Sequence, residues 1–579
     1  MEEVKTKTTE RQWKVMEAEK DMQGKLPNLP PIIANLLWRR GVKTAEEAEV
    51  FLKPKYERDI HDSFLFGDME RAVSRIYKAI DRGEHITVHG DYDADGVTGS
   101  AVLLHTLEDL IKVKESKSKL DYYIPHREDE GYGLHIPTVD ILKDRGTNLI
   151  ITVDCGIASR EAIAYANDCA MDTIVVDHHE FPEELPEAIL IHPRLPGEAY
   201  PFPYLAAVGV AWKLACGLYS EARKNNLKVH PGAEKWLLDF VSIATITDIV
   251  PLVGENRTLV HYGLKVLRQS PRLGLKKMFE IGSIDQEKAD TFTIGFQIGP
   301  RINAAGRMEH AETALKLMMT KDHDEAEILA QKLQDHNSAR QSATGKIFEE
   351  ARKQVLDQTD EHILMVIADG WPAGLVGLVA GKLVSEFNKP VLAMGRTGEQ
   401  IVGSGRSVSG FHITEALRAT GDCVQKCGGH PQACGFTIIG EENFEKFQKQ
   451  IREIAKKQLK DADLNPVLEI DAELDLEDLD WDLVDILQSM EPFGEKNPLP
   501  RFVSHELEVV NSDCVGNGSK HLRLLMRSPK GTMQKFIGFG FGGNLSACAP
   551  GNKIEVVYEV GINVWNGSRE IQCKIVDIR

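Results

Sequence analysis

No stretch of about 18 consecutive apolar residues occurs in the 579-residue chain, so nothing in it is expected to span a membrane. The opening Met1-Glu2-Glu3-Val4-Lys5 is charged and lacks an apolar core, which argues against a secretory signal and makes the cytoplasm the expected location. Cysteine is scarce: nine residues, an odd number, scattered along the chain, which excludes a disulfide scaffold. Positive charge is also short, with 69 Lys and Arg against 88 Asp and Glu and a net charge of −19. That balance argues against a general nucleic-acid coat but leaves room for a local basic channel. There is no internal repeat and no low-complexity tract.

What is present is an alternation of helical and strand patterns. Ala72, Ile76 and Ile80 recur at helical spacing within Met69 to Ile80. Short apolar runs follow at His85 to Val88, Asp121 to Ile124, Leu149 to Val153 and Thr173 to Val176, separated by helical segments; this is the pattern of a parallel α/β sheet. Residues 1–60 read as a helical segment and 61–322 as a first α/β lobe. Residues 323–358, polar and poor in glycine and proline, read as a connector helix. A second α/β lobe is expected over 359–460, with strands at His362 to Ile367 and Pro390 to Ala393. Five β runs, divided by turns such as Asn517-Gly518 and Asn566-Gly567, fill most of 461–579 and predict an all-β barrel of the OB type.

Three polar clusters sit just after three of the expected parallel strands: His89-Gly90-Asp91-Tyr92-Asp93-Ala94-Asp95-Gly96, then Asp154-Cys155-Gly156, then Asp177-His178-His179. Sites in open parallel sheets form at the carboxyl ends of strands, so the three can converge. Hydrolysing a phosphodiester needs a hydroxide at neutral pH and a neutralised phosphoryl, which two divalent ions about 3.5–4 Å apart provide. Oxygen-rich donors with some imidazole favour Mn²⁺ or Mg²⁺ over thiolate-bound zinc. Two other readings compete. Asp-x-Asp-x-Asp-Gly also opens a calcium-binding EF-hand loop, but the twelfth residue from Asp91 is Val102 where Glu is required. Cys423, Cys427, His430 and Cys434 crowd one segment, but their spacing lacks the tight Cys pairs of a zinc site.

These motifs, with Thr247-Asp248-Ile249-Val250-Pro251-Leu252, resemble the core of the DHH phosphoesterase family and, within it, the RecJ single-strand-specific exonucleases. The resemblance runs from about residue 60 to the C-terminus. It identifies the lobes as a DHH domain and a DHH-associated C-terminal domain. It implies one metal held by His89, Asp93 and Asp154 and another by Asp95, Asp154, His178 and Asp248, with Asp154 bridging. His179 is placed near the scissile phosphate, and Asp91 is left as loop support. Gly299-Pro300-Arg301-Ile302-Asn303-Ala304-Ala305-Gly306-Arg307 is similar to the family's arginine-rich motif, and arginine suits bidentate phosphate contact. Gly403-Ser404-Gly405-Arg406 and Gly428-Gly429-His430 resemble its substrate-binding motifs, where small residues let a phosphate approach the backbone. Asn337, Arg340 and Gln341 on the connector are further candidates for the cleft.

The implied activity is removal of 5′-mononucleotides from single-stranded DNA in the 5′→3′ direction, within recombination and repair. The implied partners are single-stranded-DNA-binding protein and repair helicases, and a monomer is expected. In the barrel, Lys520, Arg523, Arg527 and Lys535 are candidate phosphate contacts, with Phe536, Phe539 and Trp565 as candidate stacking partners. Two rivals remain at this point. A dinucleotide phosphodiesterase needs only the two lobes, so the added barrel favours long polymers. A non-enzymatic scaffold relative would have lost ligands that are all present here.

Overall fold

The computed structural model describes residues 11–17, 19, 22–358, 360–460, 465–565 and 567–579. The side chains of Gln23 and Trp565 lie outside the description, as does the charged opening segment. Among the described residues, no helix is long and apolar enough to cross a membrane.

The first lobe is built on a five-stranded, wholly parallel sheet in the order Lys119–Tyr123, His85–Gly90, Leu149–Val153, Asp172–Val176, Ile189–Ile191. The three central strands are almost fully buried, which is why they read as continuous apolar runs rather than alternating ones. The strand order reverses between His85–Gly90 and Leu149–Val153, and this switch point opens a crevice beyond their carboxyl ends. Helices behind it (Ala207–Lys224, Leu238–Thr247, Gly254–Leu267) complete one large apolar core.

The helix His323–Leu356 leads into the second lobe. Its sheet runs Lys426–His430, Ala433–Ile439, Gln400–Arg406, Val391–Thr397, Leu364–Asp369. Only the last two strands pair parallel. Three of these five strands carry the glycine motifs. Packing explains the glycines. A Cβ at Gly403 would lie 2.2 Å from the Phe436 ring, and one at Gly405 would lie 2.6 Å from the Cys434 sulfur.

The C-terminal unit is a barrel in which Arg501–Val515, His521–Arg527, Met533–Gly538, Ser568–Ile578 and Lys553–Trp565 pair in that order, and the last closes onto the first. The N-terminal segment carries helices, as expected, and adds a strand. Gln12–Val15 is a strand paired in parallel with Val467–Ile470. The helices Pro31–Arg39 and Ala45–Leu52 bury Ile33, Leu36, Leu37 and Phe51 in the same core as Phe502, Leu522 and Tyr558 of the barrel. Side chains this apolar need a partner surface, and the open bottom of the barrel supplies it.

Candidate metal centre and phosphate cleft

The loop after His85–Gly90 is held by its own backbone chemistry. Asp93 caps the helix Ala94–Val113, accepting from the Asp95 and Gly96 amides at 2.9 and 3.2 Å. Gly96 is obligatory, since a Cβ there would lie 2.5 Å from the Asp91 backbone. Asp95 accepts from the amides of Ala207 and Val208 at 2.7 and 2.8 Å, at the start of the next long helix. On the neighbouring strand end, Asp154 holds a left-handed backbone conformation (φ 63°). Asp177 accepts from the His178, His179 and Ile157 amides, which fixes the turn that presents the two histidines.

The carboxylates and histidines converge at the switch point. Ligand atoms of Asp91, Asp93 and Asp154 lie within 4.8 Å of one another, and so do those of Asp95, His178 and Asp248, and of Asp154, His178 and His179. His178 Nε2 lies 3.4 Å from Asp154, 3.6 Å from Asp248 and 3.8 Å from Asp95. Asp248 follows the helix Leu238–Thr247, and the residue after it, Ile249, is 69% exposed with φ 57°, a strained conformation for a β-branched side chain.

Burial, and then the neighbouring carboxylates, hold Asp91, Asp154 and Asp248 well above the ordinary carboxylate range and push Asp95 up to about 7. Burial and the adjacent His179 push His178 down to about 3, so it is a neutral imidazole with a lone pair to give. Asp91 Oδ1, Asp154 Oδ1 and His178 Nε2 are buried with no hydrogen-bond partner. Buried polar atoms are normally satisfied, and buried charges are paired or coordinate metals. The donor set therefore fits divalent cations, and the oxygen-rich half fits Mn²⁺ or Mg²⁺.

Asp91, expected only as loop support, joins Asp93 and Asp154 in one of the three groups. His89 belongs to none of the three groups; its ring stacks on Tyr123, its Nδ1 is 3.5 Å from the Cys155 sulfur, and burial pushes it down to about 4. It lies within the strand, and its Nε2 is buried with no hydrogen-bond partner, whereas Asp91 stands in the turn.

His179 is oriented by two contacts sequence reasoning did not supply. Its Nδ1 is 2.9 Å from Asp177 Oδ1 and 3.0 Å from the Tyr132 hydroxyl, which itself donates to the Asp154 carbonyl at 3.0 Å. Burial works against charge on His179, but Asp177, then Asp93 and Asp95, outweigh it and raise its pKa.

A basic cluster faces these carboxylates. Arg307 is pushed down to about 10 by burial and by nearby Arg127 and Arg340, with Asp93 opposing and Arg406 adding to the effect. Its Nη1 donates to the Gly374 carbonyl of the second lobe at 2.8 Å. Arg406 donates to the Ser404 hydroxyl at 2.9 Å. Across the sheet, Arg406, Ala433 and His430 share one row, and Ser404, Gly435 and Gly428 another, so these side chains point to one face. Gly429 has φ 142° and no room for a Cβ. Arg127, which carries no recognisable motif, lies over the Tyr92 ring at 4.7 Å.

Among the other expected residues, Arg301 and Asn303 engage partners of their own. Arg301 turns away from this cluster to Gln334 and the Gln297 carbonyl. Asn303 accepts from the Ala94 amide at 2.8 Å and braces the carboxylate loop. Arg340 engages Asn337, and Gln341 is exposed on the connector. In the barrel, Arg523, Arg527 and Lys535 are ion-paired with Asp513, Glu508 and Glu570, Phe536 is core, and Lys520 and Phe539 are exposed. Phe292 and Phe296, stacked at 4.8 Å and 59% and 69% exposed, were missed. They lie on the π-helical turn that packs against Ile246 and Thr247, one residue before Asp248. Cys427, His430 and Cys434 lie on the hairpin of Lys426–His430 and Ala433–Ile439, and Cys423 on the short turn before it.

Comparison with known proteins meets this geometry at each lobe. The DHH family N-terminal domain matches residues 85–245, the DHHA1 domain 360–457 and the RecJ OB domain 470–577. The chain is 37% identical to the single-stranded-DNA-specific exonuclease RecJ of Bacillus subtilis strain 168, over 98% of this chain and 70% of that protein. It is 31% identical to the Escherichia coli K12 exonuclease of the same name, over 97% and 98% of the two chains. The chain belongs to the RecJ exonuclease family. Crystal structures of RecJ from Thermus thermophilus superpose on 98% of it, with a TM-score of 0.80 at 27% identity for the Mn²⁺ complex and 0.73 at 26% for the Mg²⁺ complex. They cover the same three units, with 79% and 78% of the Thermus chain matched.

Proposed function

We propose that this chain is a metal-dependent exonuclease that degrades single-stranded DNA 5′→3′, releasing 5′-mononucleotides, in recombination and repair alongside single-stranded-DNA-binding protein and helicases. The observation that carries the reading is that carboxylates with buried, unpartnered oxygens share one crevice with Arg127 and Arg307, and that Arg307 reaches the Gly374 carbonyl of the second lobe. Such a cleft takes cations on one wall and a phosphate on the other.

Asp91, Asp93 and Asp154 would hold one cation, and Asp95, His178 and Asp248 the other, with Asp154 close enough to His178 to serve both. Bound Mn²⁺ or Mg²⁺ supplies a hydroxide at neutral pH and neutralises the transferring phosphoryl. His179, its Nδ1 fixed on Asp177, keeps Nε2 for a proton shared with a phosphate oxygen. Arg307, Arg406, Arg127 and Ser404 receive the 5′-terminal phosphate, which sets the chain end that enters and hence the size of the product. Phe292 and Phe296 offer a face on which bases stack without sequence preference.

The test is digestion of 5′- and 3′-labelled single strands and duplexes with each metal. Release of labelled mononucleotide from the 5′ end of single strands, faster with a 5′-phosphate, is expected. Preferential cleavage of dinucleotides over long strands, or loss from the 3′ end, overturns the reading.

A further inference from the structure

The barrel carries a second concavity, remote from the carboxylates and built into a different apolar core. A groove of about 990 Å³ lies between the N-terminal segment and the residues that lead into the barrel. Its floor is apolar, with Val15, Met22, Ile32, Leu474 and Leu483 among the lining residues. Its rim is acidic, and no lysine, arginine or histidine lines it among the described residues.

Some of the rim carboxylates are already occupied. Asp471 receives the Arg501 amide, Glu477 the Ser528 hydroxyl and Asp480 the Leu483 amide. Glu19, Asp478 and Asp482 line the groove with no side-chain partner among the described residues. An acidic rim alone means little, but Asn35 adds an independent sign. It lines the same groove from the helix Pro31–Arg39, is only 4% exposed, and its Oδ1 has no hydrogen-bond partner. An acceptor buried this deeply and left unmet is costly unless a donor reaches it from the groove.

We infer that this groove is a docking site for a protein partner, through an amphipathic segment bearing lysine or arginine. Apolar side chains of that segment cover the floor, its cations meet Asp478 and Asp482, and one of its N–H donors satisfies Asn35 Oδ1. The charge complementarity decides the occupant. A nucleic acid or an acidic tail is repelled by the rim, and a small polyamine has nothing to place on the apolar floor. The volume is that of a binding groove rather than of a water site. The inference does not rest on the nuclease reading, since it uses none of the residues of the cleft.

The test uses the full chain and a fluorescein-labelled helical peptide of leucine and lysine, about 16 residues or four turns long. Its counterparts replace lysine by glutamate or leucine by serine. Anisotropy at physiological salt should show binding of the leucine–lysine peptide alone. Asp478→Lys with Asp482→Lys should weaken it at least about tenfold. The same reversal on the second lobe, Glu442→Lys with Glu445→Lys, should change it less than about twofold, as expected for a remote pair. Asn35→Leu, which changes no charge, should also weaken binding, and all three variants should cleave a short single strand at the wild-type rate. Equal loss in both charge-reversed variants, or equal binding of the serine–lysine peptide, overturns the inference in favour of general attraction to an acidic surface. Complete displacement by spermine at equal charge overturns it in favour of a small-cation site.

Discussion

Arg257 ties the barrel to the catalytic lobe, and its removal has a size that can be worked from its contacts. The side chain is 2% exposed. Its five N–H donors meet five backbone carbonyls: Phe51 at 2.9 Å, Met490 at 2.7 Å, Pro492 at 3.3 Å, Ser489 at 2.9 Å and Glu491 at 2.7 Å. The guanidinium also lies 4.1 Å from the centre of the Phe51 ring. One residue of the first lobe thus holds both the N-terminal helices and the segment entering the barrel. Lysine has three donors, so Arg257→Lys loses at least two of these hydrogen bonds, at roughly 0.5–1.5 kcal/mol each, or about 1–3 kcal/mol in all. Arg257→Leu loses all five bonds and leaves the Phe51, Ser489 and Glu491 carbonyls without this donor, while those of Met490 and Pro492 keep Asn497 Nδ2 at 2.9 Å. Simple addition would exceed what relaxation and entering water allow, and about 5 kcal/mol, the upper end for single substitutions, is expected. A chain of several units does not unfold in two states, so the assay is native-state hydrogen exchange. Amides near 31–52 and 484–502 should lose protection in the order wild type, Lys, Leu, while the central strands of the first sheet keep theirs. Cleavage of short oligonucleotides should persist, and affinity for long strands should fall. Unchanged protection in Arg257→Lys together with a loss below about 1 kcal/mol in Arg257→Leu would refute the donor arithmetic.

Asp154→Ala should abolish turnover, because its carboxylate stands next to both proposed cation sets; a tenth of the wild-type rate on a 5′-phosphorylated strand with Mn²⁺ present would sink the shared-ligand assignment. Asp91→Asn should weaken Mn²⁺ binding by calorimetry far more than His89→Gln, and the reverse order would restore His89 as the ligand. Arg406→Ala should remove most of the rate advantage of a 5′-phosphate over a 5′-hydroxyl while sparing Mn²⁺ affinity; an undiminished advantage would place the terminal phosphate elsewhere. Phe296→Ala should raise KM for single strands by about 5- to 150-fold with little change in kcat, as expected for roughly 1–3 kcal/mol of base stacking, and a selective fall in kcat would assign the ring to the chemistry instead.

The parts of the site visible in the sequence are those where a strand end dictates position. Asp93, Asp95, Asp154, His178 and Asp248 follow apolar strands or a helix end, and the alternation of elements is enough to bring them together. The addition of Asp91 to the expected set has the same origin. A strand that ends at Gly90 rather than Val88 leaves His89 inside the sheet and shifts the reach of the loop by two residues, a distance within the ordinary uncertainty of element boundaries. The glycine-rich strands of the second lobe were hidden for a different reason. Strand propensity reports side chains that fill a pleated surface, and here Phe436 and Cys434 fill it from the neighbouring strand, so the glycines look like turns. Arg127, Tyr132, Phe292 and Phe296 left no local signal at all. Each acts through a residue distant in the chain, and their roles become legible only once the crevice exists. That division sets the functional logic of the molecule. The hydrolytic centre is written into short motifs that any phosphoesterase of this kind could carry. On the proposed reading, discrimination between chain ends, and between one strand and two, falls to side chains that the fold assembles from both lobes. Substitutions there should alter which DNA is cut before they alter whether it is cut.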